Sequence, residues 1–185
     1  MAEPGSTQLG PTDPDTLRLF FALWPDETTR AALNHTGDWP HKHWGGRQMR
    51  ADTLHLTLAF LGRTPVAQLD ALTASVDAIE AQAFDLTLDQ FGYWHHNRIG
   101  WLGPTHPPPQ LGELVSALNA AIQQSGIAFD APPQVPHVTL LRNTPGCEVP
   151  ACEPMRWPIS DFVLVSSRTE TGGLYYDVIR RWDLI

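Results

Sequence analysis

"LHLTLAFLG" (residues 54–62) alternates apolar and polar positions as a β-strand does, yet two of its polar positions are His55 and Thr57. The text returns at residues 135–143, "VPHVTLLRN", so His-x-Thr-Leu occurs twice, at 55–58 and 137–140. The two histidines lie 82 positions apart. On a strand, residues i and i+2 share a face. Leu56 and Leu58 then face a core while His55 and Thr57 face away from it. Val138 and Leu140 are set against His137 and Thr139 in the same way. A polar pair on one face of an apolar strand is a groove wall. Two such strands side by side give one cleft with two imidazoles and two hydroxyls. A single His or Thr in a strand is ordinary; the matched repetition is not.

Outward from the motifs, "LRLFFALW" (17–24) reads as a buried strand. Residues 25–36 follow as a helix opened by Pro25, Asp26 and Glu27. Residues 37–50, with Gly, Pro, His and Trp, read as a loop, and 53–62 as the first motif strand. Val66, Leu69, Leu72, Val76 and Ile79 recur at helical spacing and predict a helix over 65–83. A strand at 84–94, a turn at 95–97 and a return strand at 98–103 make a hairpin. A helix over 110–126, closed by Gly126, leads to the second motif strand at 136–143. A proline-rich loop then runs to residue 158. Residues 159–185 form a final hairpin whose turn carries Gly172 and Gly173. This order is that of an α+β chain with mixed sheets. A helix precedes each motif strand, which suggests two similar halves facing each other. The N-terminal residues 1–16, rich in Pro, Gly, Ser and Thr, are expected to be a disordered tail. Residues 17–185 remain as one domain.

The composition bounds the function. Of 185 residues 42% are hydrophobic, enough for a core, and the net charge of −8 comes from 12 basic and 20 acidic residues, with Lys42 the only lysine. Coating long nucleic acid by counterion release needs a broad basic face, which this balance excludes. A small anion in a locally positive cleft stays compatible with it. No apolar run approaches the roughly 18 residues of a membrane span, and the N-terminus lacks the basic and apolar regions of a signal peptide. Cys147 and Cys152, a single pair, read as free thiols in a reducing cytoplasm.

Two imidazoles can serve a metal or can move protons. A zinc site takes three or four ligands at clustered spacing, and no Asp, Glu or Cys stands at such spacing beside His55 or His137. Histidine titrates near neutrality, so one neutral imidazole can draw a proton from water while a charged one supplies a proton to a leaving oxygen. In-line displacement at phosphorus sets those two oxygens on opposite sides. The threonine hydroxyls would donate hydrogen bonds to the non-bridging oxygens.

Two His-x-Thr-x motifs about 80 residues apart in a chain of this size resemble the two-histidine (2H) phosphoesterase superfamily. More narrowly, the chain is similar to the bacterial RNA 2′,3′-cyclic phosphodiesterases, once named 2′-5′ RNA ligases. The stretches that carry this likeness are "RLFFAL" (18–23), "LHLTLAFLG" (54–62), "WLG" (101–103), "PHVTLLR" (136–142) and "YYDVIRRW" (175–182). The resemblance implies a bilobal α+β fold, two mixed or antiparallel sheets facing each other across a cleft with helices on the outer faces. It implies no metal or other cofactor. Carried over by motif, His55 is the proton donor, His137 the proton acceptor, and Thr57, Thr139 and Arg142 bind the phosphate. Phe60, five after His55, matches an aromatic position that stacks on a base, whereas strand parity alone puts it in the core. The implied reaction opens a 2′,3′-cyclic phosphate to a 2′-phosphate. Its alternatives are reverse 2′-5′ ligation, or action on small nucleotide-derived cyclic phosphates. The implied partners are RNA 3′ ends or nucleotides with such a phosphate, the expected state a monomer, and the expected location the cytoplasm. A non-catalytic RNA-end binder is disfavoured, because binding alone needs no acid and base. His41, His43 and Trp44 are placed in a loop that could rim the cleft. His95, His96 and His106 are read as exposed turn residues, and Trp24, Trp101 and Trp182 as core. Arg168, Tyr175 and Tyr176 belong to the final hairpin, which could line the cleft, and their side-chain directions are left open.

Overall fold

β1 (Thr16–Leu23) forms where Leu19 to Leu23 can all be buried, one face against each layer of the protein. The computed structural model describes residues 15–129, 135–146, 149, 151–171 and 173–185. The expected tail up to residue 14 lies outside these. Asp26 caps α1 (Glu27–Trp44) by accepting a 2.7 Å hydrogen bond from the Thr29 amide. The helix continues through residues 37–44, where a loop was expected. Leu33, Gly37, Pro40 and Trp44 recur on one buried stripe, and burial of that stripe outweighs the low helix propensity of Gly and Pro. A short strand β2 (Arg47–Gln48) and a 3-10 turn (Ala51–Thr53) then lead into β3 (Leu56–Pro65).

The helix expected over 65–83 is shorter. A 3-10 turn at Val66–Gln68 precedes α2 (Leu69–Val76). Residues 77–83 leave the helix because the C-terminal end competes for them. Asp77 accepts from the Trp182 indole and pairs with Arg180, and the Ala81 and Ala83 backbones bond to Ile185. β4 (Phe84–Trp94) and β5 (Ile99–Gly103) form the expected hairpin, followed by α3 (Pro109–Gln124) and β6 (Val138–Arg142). The proline-rich stretch expected to be a loop contains β7 (Ala151–Ile159). Pro154 and Pro158 are tolerated there because β7 is an edge strand, paired on one side to β4. β8 (Asp161–Glu170) and β9 (Gly173–Asp183) close the chain as the expected hairpin. Cys152 is a free thiol, while Cys147 lies outside the described residues.

Every recorded strand pair is antiparallel, rather than mixed. The strand order β7-β4-β5-β6-β3-β1-β8-β9, with β2 on β6, splits naturally in the middle. β3 and β6 touch through one residue pair, Leu56 with Val138. The two expected sheets are therefore two halves of one ladder, joined by a single pair beside the two His-x-Thr motifs. The main core lies between this sheet and the helices. Leu33 and Trp44 from α1, Leu72 and Val76 from α2, and Leu111, Leu114 and Leu118 from α3 meet Leu56, Leu58, Val138 and Leu140. Each fully buried leucine contributes roughly 2 kcal/mol by area removed from water. A second, small cluster of Phe20, Ala22, Val163 and Val165 occupies the other face, backed by Trp24 and Tyr176. No helix among the described residues is long and apolar enough to cross a membrane.

Candidate active site

The single join between β3 and β6 places the two motifs next to each other. His55, Thr57, His137 and Thr139 all line one cleft of about 960 Å³, including its space open to solvent. Their apolar neighbours Leu56, Leu58, Val138 and Leu140 are buried on the opposite face, so period-two alternation holds this far.

The alternation then breaks, in the same way on both strands. Along β3, Ala59 pairs with Phe21 and Thr57 with Ala22, which leaves Leu58 as an extra residue. Along β6, Leu141 pairs with Gly100 and Thr139 with Trp101, which leaves Leu140 extra. A bulge of this kind shifts parity by one position. Leu58 and Ala59 both point into the core, as do Leu140 and Leu141. Phe60 and Arg142, each five residues after its histidine, thereby return to the cleft face. This corrects the parity reading of Phe60 as core, since its side chain is 44% exposed.

Both imidazoles are fixed by the same device. His55 Nδ1 donates to the Thr53 carbonyl at 2.8 Å, and His137 Nδ1 donates to the Val135 carbonyl at 2.8 Å. A carbonyl can only accept, so Nδ1 carries hydrogen in each ring. The neutral form then presents a bare Nε2. The aromatic surroundings differ between the halves. Trp24 stacks on His55 (centroids 5.5 Å, 15°), with Phe20 at 4.9 Å and Tyr176 edge-on at 5.2 Å. His137 has Trp94 edge-on at 4.5 Å and Trp101 at 6.4 Å. Burial pushes the His55 imidazole down to about 4 against the partial support of the Thr53 carbonyl, and the nearby His137 and Arg142 add to the depression. His137 is also lowered, chiefly by burial. Both rings are therefore held toward the neutral form near pH 7. Burial raises the Tyr176 phenol, so it too is neutral.

Several cleft residues escaped the sequence reading. Arg18 and Phe20 reach it from β1, Trp94 and Asn97 from the β4–β5 hairpin, and Ser167 from the final hairpin; Tyr176, whose direction the sequence leaves open, also lines the cleft, whereas Arg168 and Tyr175 are not among its lining residues. Trp24, packed on the second core cluster, also stacks on the His55 ring. The signal for the β1 residues is their i, i+2 spacing from Arg18 through Phe20. The other residues come from remote hairpins, and spacing within the chain carries no trace of that proximity. His41, His43 and Trp44 do not rim the cleft. They end α1, where His43 stacks on Trp39 at 4.0 Å and Trp44 is buried. His95, His96 and His106 are exposed, as expected. Trp182 stacks on Phe162 at 5.4 Å, as a core residue would. Among the described residues no three His, Cys, Asp or Glu side chains group as metal ligands. With two imidazoles, two threonine hydroxyls and two arginines around one cavity, the cleft has the groups for proton transfer at an anionic phosphorus centre.

Residues 24–169 match the model of the 2′-5′ RNA ligase superfamily. The chain belongs to this superfamily. It is 34% identical over 172 residues to the RNA 2′,3′-cyclic phosphodiesterase of Escherichia coli (strain K12), a match spanning 90% of this chain and 96% of that one. The Thermus thermophilus protein of the same name is 30% identical over 182 residues, covering 91% and 90% of the two chains. The crystal structure of E. coli LigT complexed with 3′-AMP superposes with a TM-score of 0.82 at 34% identity, covering 91% of this chain and 98% of that one. The α+β architecture with helices outside an antiparallel sheet is thus the superfamily's fold.

Proposed function

We propose that this chain hydrolyses RNA terminal 2′,3′-cyclic phosphate to a 2′-phosphate, by acid–base catalysis between His55 and His137. Its superfamily and the names of its E. coli and Thermus relatives support the reaction. The observation that carries the mechanism is the paired fixation of the two rings. Each gives Nδ1 to the carbonyl two residues earlier and keeps Nε2 free on a shared cleft.

In this reading the cyclic phosphate sits between the rings, with its non-bridging oxygens toward the Thr57 and Thr139 hydroxyls and the Arg142 guanidinium. His137 Nε2 takes a proton from water as the oxygen attacks phosphorus. The P–O3′ bond breaks in line, and His55 Nε2–H delivers its proton to the departing O3′. Solvent returns the rings to their starting protonation. Burial holds His55 neutral, so the substrate must bring the conditions for its charge. An anion about 4 Å from the ring, at an effective dielectric near 20, favours the imidazolium by about 4 kcal/mol. That is worth roughly three pH units, which lifts His55 from about 4 to near neutrality. Burial thus keeps the acid uncharged until the phosphate arrives. Phe60, exposed on the same face, stacks on the terminal base.

A short RNA ending in a 2′,3′-cyclic phosphate, incubated in excess chelator, tests this. The expected product is a 2′-phosphate, absent with the His55→Ala protein. An unchanged end, or activity that requires added metal, refutes it.

A further inference from the structure

Arg18 is a cation in the cleft that the chemistry above does not use. It lies on β1, two residues before Phe20 and on the same face, and its guanidinium sits 5.1 Å over the Phe60 ring. Its backbone carbonyl accepts from Ser167, which fixes the strand beneath it. Five other arginines are ion-paired: Arg50 to Asp52, Arg156 to Asp85, Arg168 to Glu170 and Asp177, Arg180 to Asp77, and Arg181 to Asp161. Among the described residues no carboxylate is in ion-pair range of Arg18 or Arg142, and no Asp or Glu lines the cleft. On a chain of net charge −8, this is a cavity of local positive sign.

The two cleft arginines are not equivalent. Arg142 stands on β6, beside the imidazoles. Arg18 stands on β1, on the far side of β3, so their strands are about 10 Å apart at ordinary strand spacing. Both act on the Tyr176 phenol from within the cleft. A phosphate held at the His-x-Thr motifs lies on the Arg142 side of β3, beside the imidazoles, and a second phosphate one nucleotide's backbone away can meet Arg18.

We infer that Arg18, held over Phe60, is a second anion subsite, which receives the phosphate on the 5′ side of the terminal nucleoside. The inference rests on the cyclic phosphodiesterase reading and narrows its substrate class. The enzyme is built for ends of RNA chains and 5′-phosphorylated nucleotides, in preference to nucleoside cyclic phosphates bearing no second charge. Phe60 and Arg18 together then grip the terminal nucleotide by base and by 5′-phosphate, while His55 and His137 work on its other end.

The test compares adenosine 2′,3′-cyclic phosphate with the same compound carrying a 5′-phosphate. At low ionic strength the 5′-phosphorylated substrate is expected to have a kcat/KM at least about tenfold higher, the scale of a charge-assisted contact. Salt should erode this ratio. Arg18→Gln should bring it to within about twofold of unity, Arg18→Lys should keep part of it, and Arg156→Gln, remote from the cleft, should leave it whole. Arg18→Met keeps the aliphatic stem over Phe60 and guards against a packing explanation; it too should abolish the preference. If wild-type protein opens both substrates equally well, or if the preference survives in Arg18→Gln, the subsite is refuted and the hydrolase reading stands. If neither substrate is opened, both fail.

Discussion

Replacing His55 with Asn should make the protein less sensitive to mild acid. The imidazole is packed among Phe20, Trp24 and Tyr176, and burial holds it neutral down to about pH 4, against 6.5 for an unburied histidine. Its folded-state value therefore lies below its unfolded one. Between pH 6.5 and about 4 the unfolded chain binds the extra proton, so stability falls as pH falls. The full loss is roughly 3 kcal/mol, of which about 2 kcal/mol appears between pH 7 and pH 5. An asparagine keeps a donor for the Thr53 carbonyl but cannot titrate. Urea unfolding of both proteins at pH 7, 6 and 5 gives the comparison. The wild-type protein should lose about 2 kcal/mol more than His55→Asn over that range. Asp26 and Asp52, whose carboxyls are held low by Thr29 and Arg50, titrate below this window in both proteins and cancel. Parallel stability curves would mean that His55 is solvated when folded. The proposed gating of its proton by substrate would then have no basis.

Three further outcomes follow from the geometry. His55→Ala and His137→Ala should each lower single-turnover rates on a cyclic phosphate by about 100-fold or more with the fold intact by circular dichroism; near wild-type turnover in either variant contradicts the acid–base assignment. A Cβ at Gly92 would lie 2.0 Å from the Trp101 ring, so Gly92→Ala should lose about 1–3 kcal/mol in thermal unfolding by overpacking. Phe60→Ala should raise KM for an RNA end by about tenfold through lost base stacking while changing kcat little; a loss confined to kcat would place Phe60 in the chemistry instead.

The motif strands were legible because their apolar residues alternate up to the bulges. Beyond Leu58 and Leu140 the text offers two apolar residues in succession, Leu58-Ala59 and Leu140-Leu141, which parity alone cannot place on one face. That is why parity alone puts Phe60 in the core while the motif match puts it on a base. The hairpins at 84–103 and 159–185 and helix α3 were legible from local pattern. The second half of α1 and all of β7 were not, because Gly37 and Pro40 argue locally against a helix, and Pro154 and Pro158 against a strand. The stripe through Leu33 and Trp44 and the edge position beside β4 override them. In the cleft, the co-location of His55, Thr57, His137 and Thr139 could be expected from the repetition. Arg18, Trp94 and Asn97 could not, since each reaches the cleft through strand order rather than spacing.

The two bulges explain how a nearly symmetric scaffold can treat a substrate asymmetrically. Each half supplies a histidine tied to the carbonyl two residues back, a threonine on the next cleft-facing position, and a bulge that restores the fifth residue to the cleft. These shared parts suit what is symmetric in the reaction, a phosphorus centre with an entering and a leaving oxygen on opposite sides. The halves diverge at the fifth residue, where one offers the face of Phe60 and the other the charge of Arg142. They diverge again around the rings, where His55 is enclosed by three aromatic side chains and His137 is met chiefly by Trp94. In the proposed reading the first difference orients the nucleoside toward β3 and the phosphate charge toward β6. The second sets the rings at different proton affinities before any substrate is bound. Exchanging Phe60 and Arg142 would leave the imidazoles and threonines in place but reverse the orientation of the nucleotide. In that reading the orientation of the nucleotide is set by the fifth residue after each histidine, and the proton affinities by the surroundings of the rings.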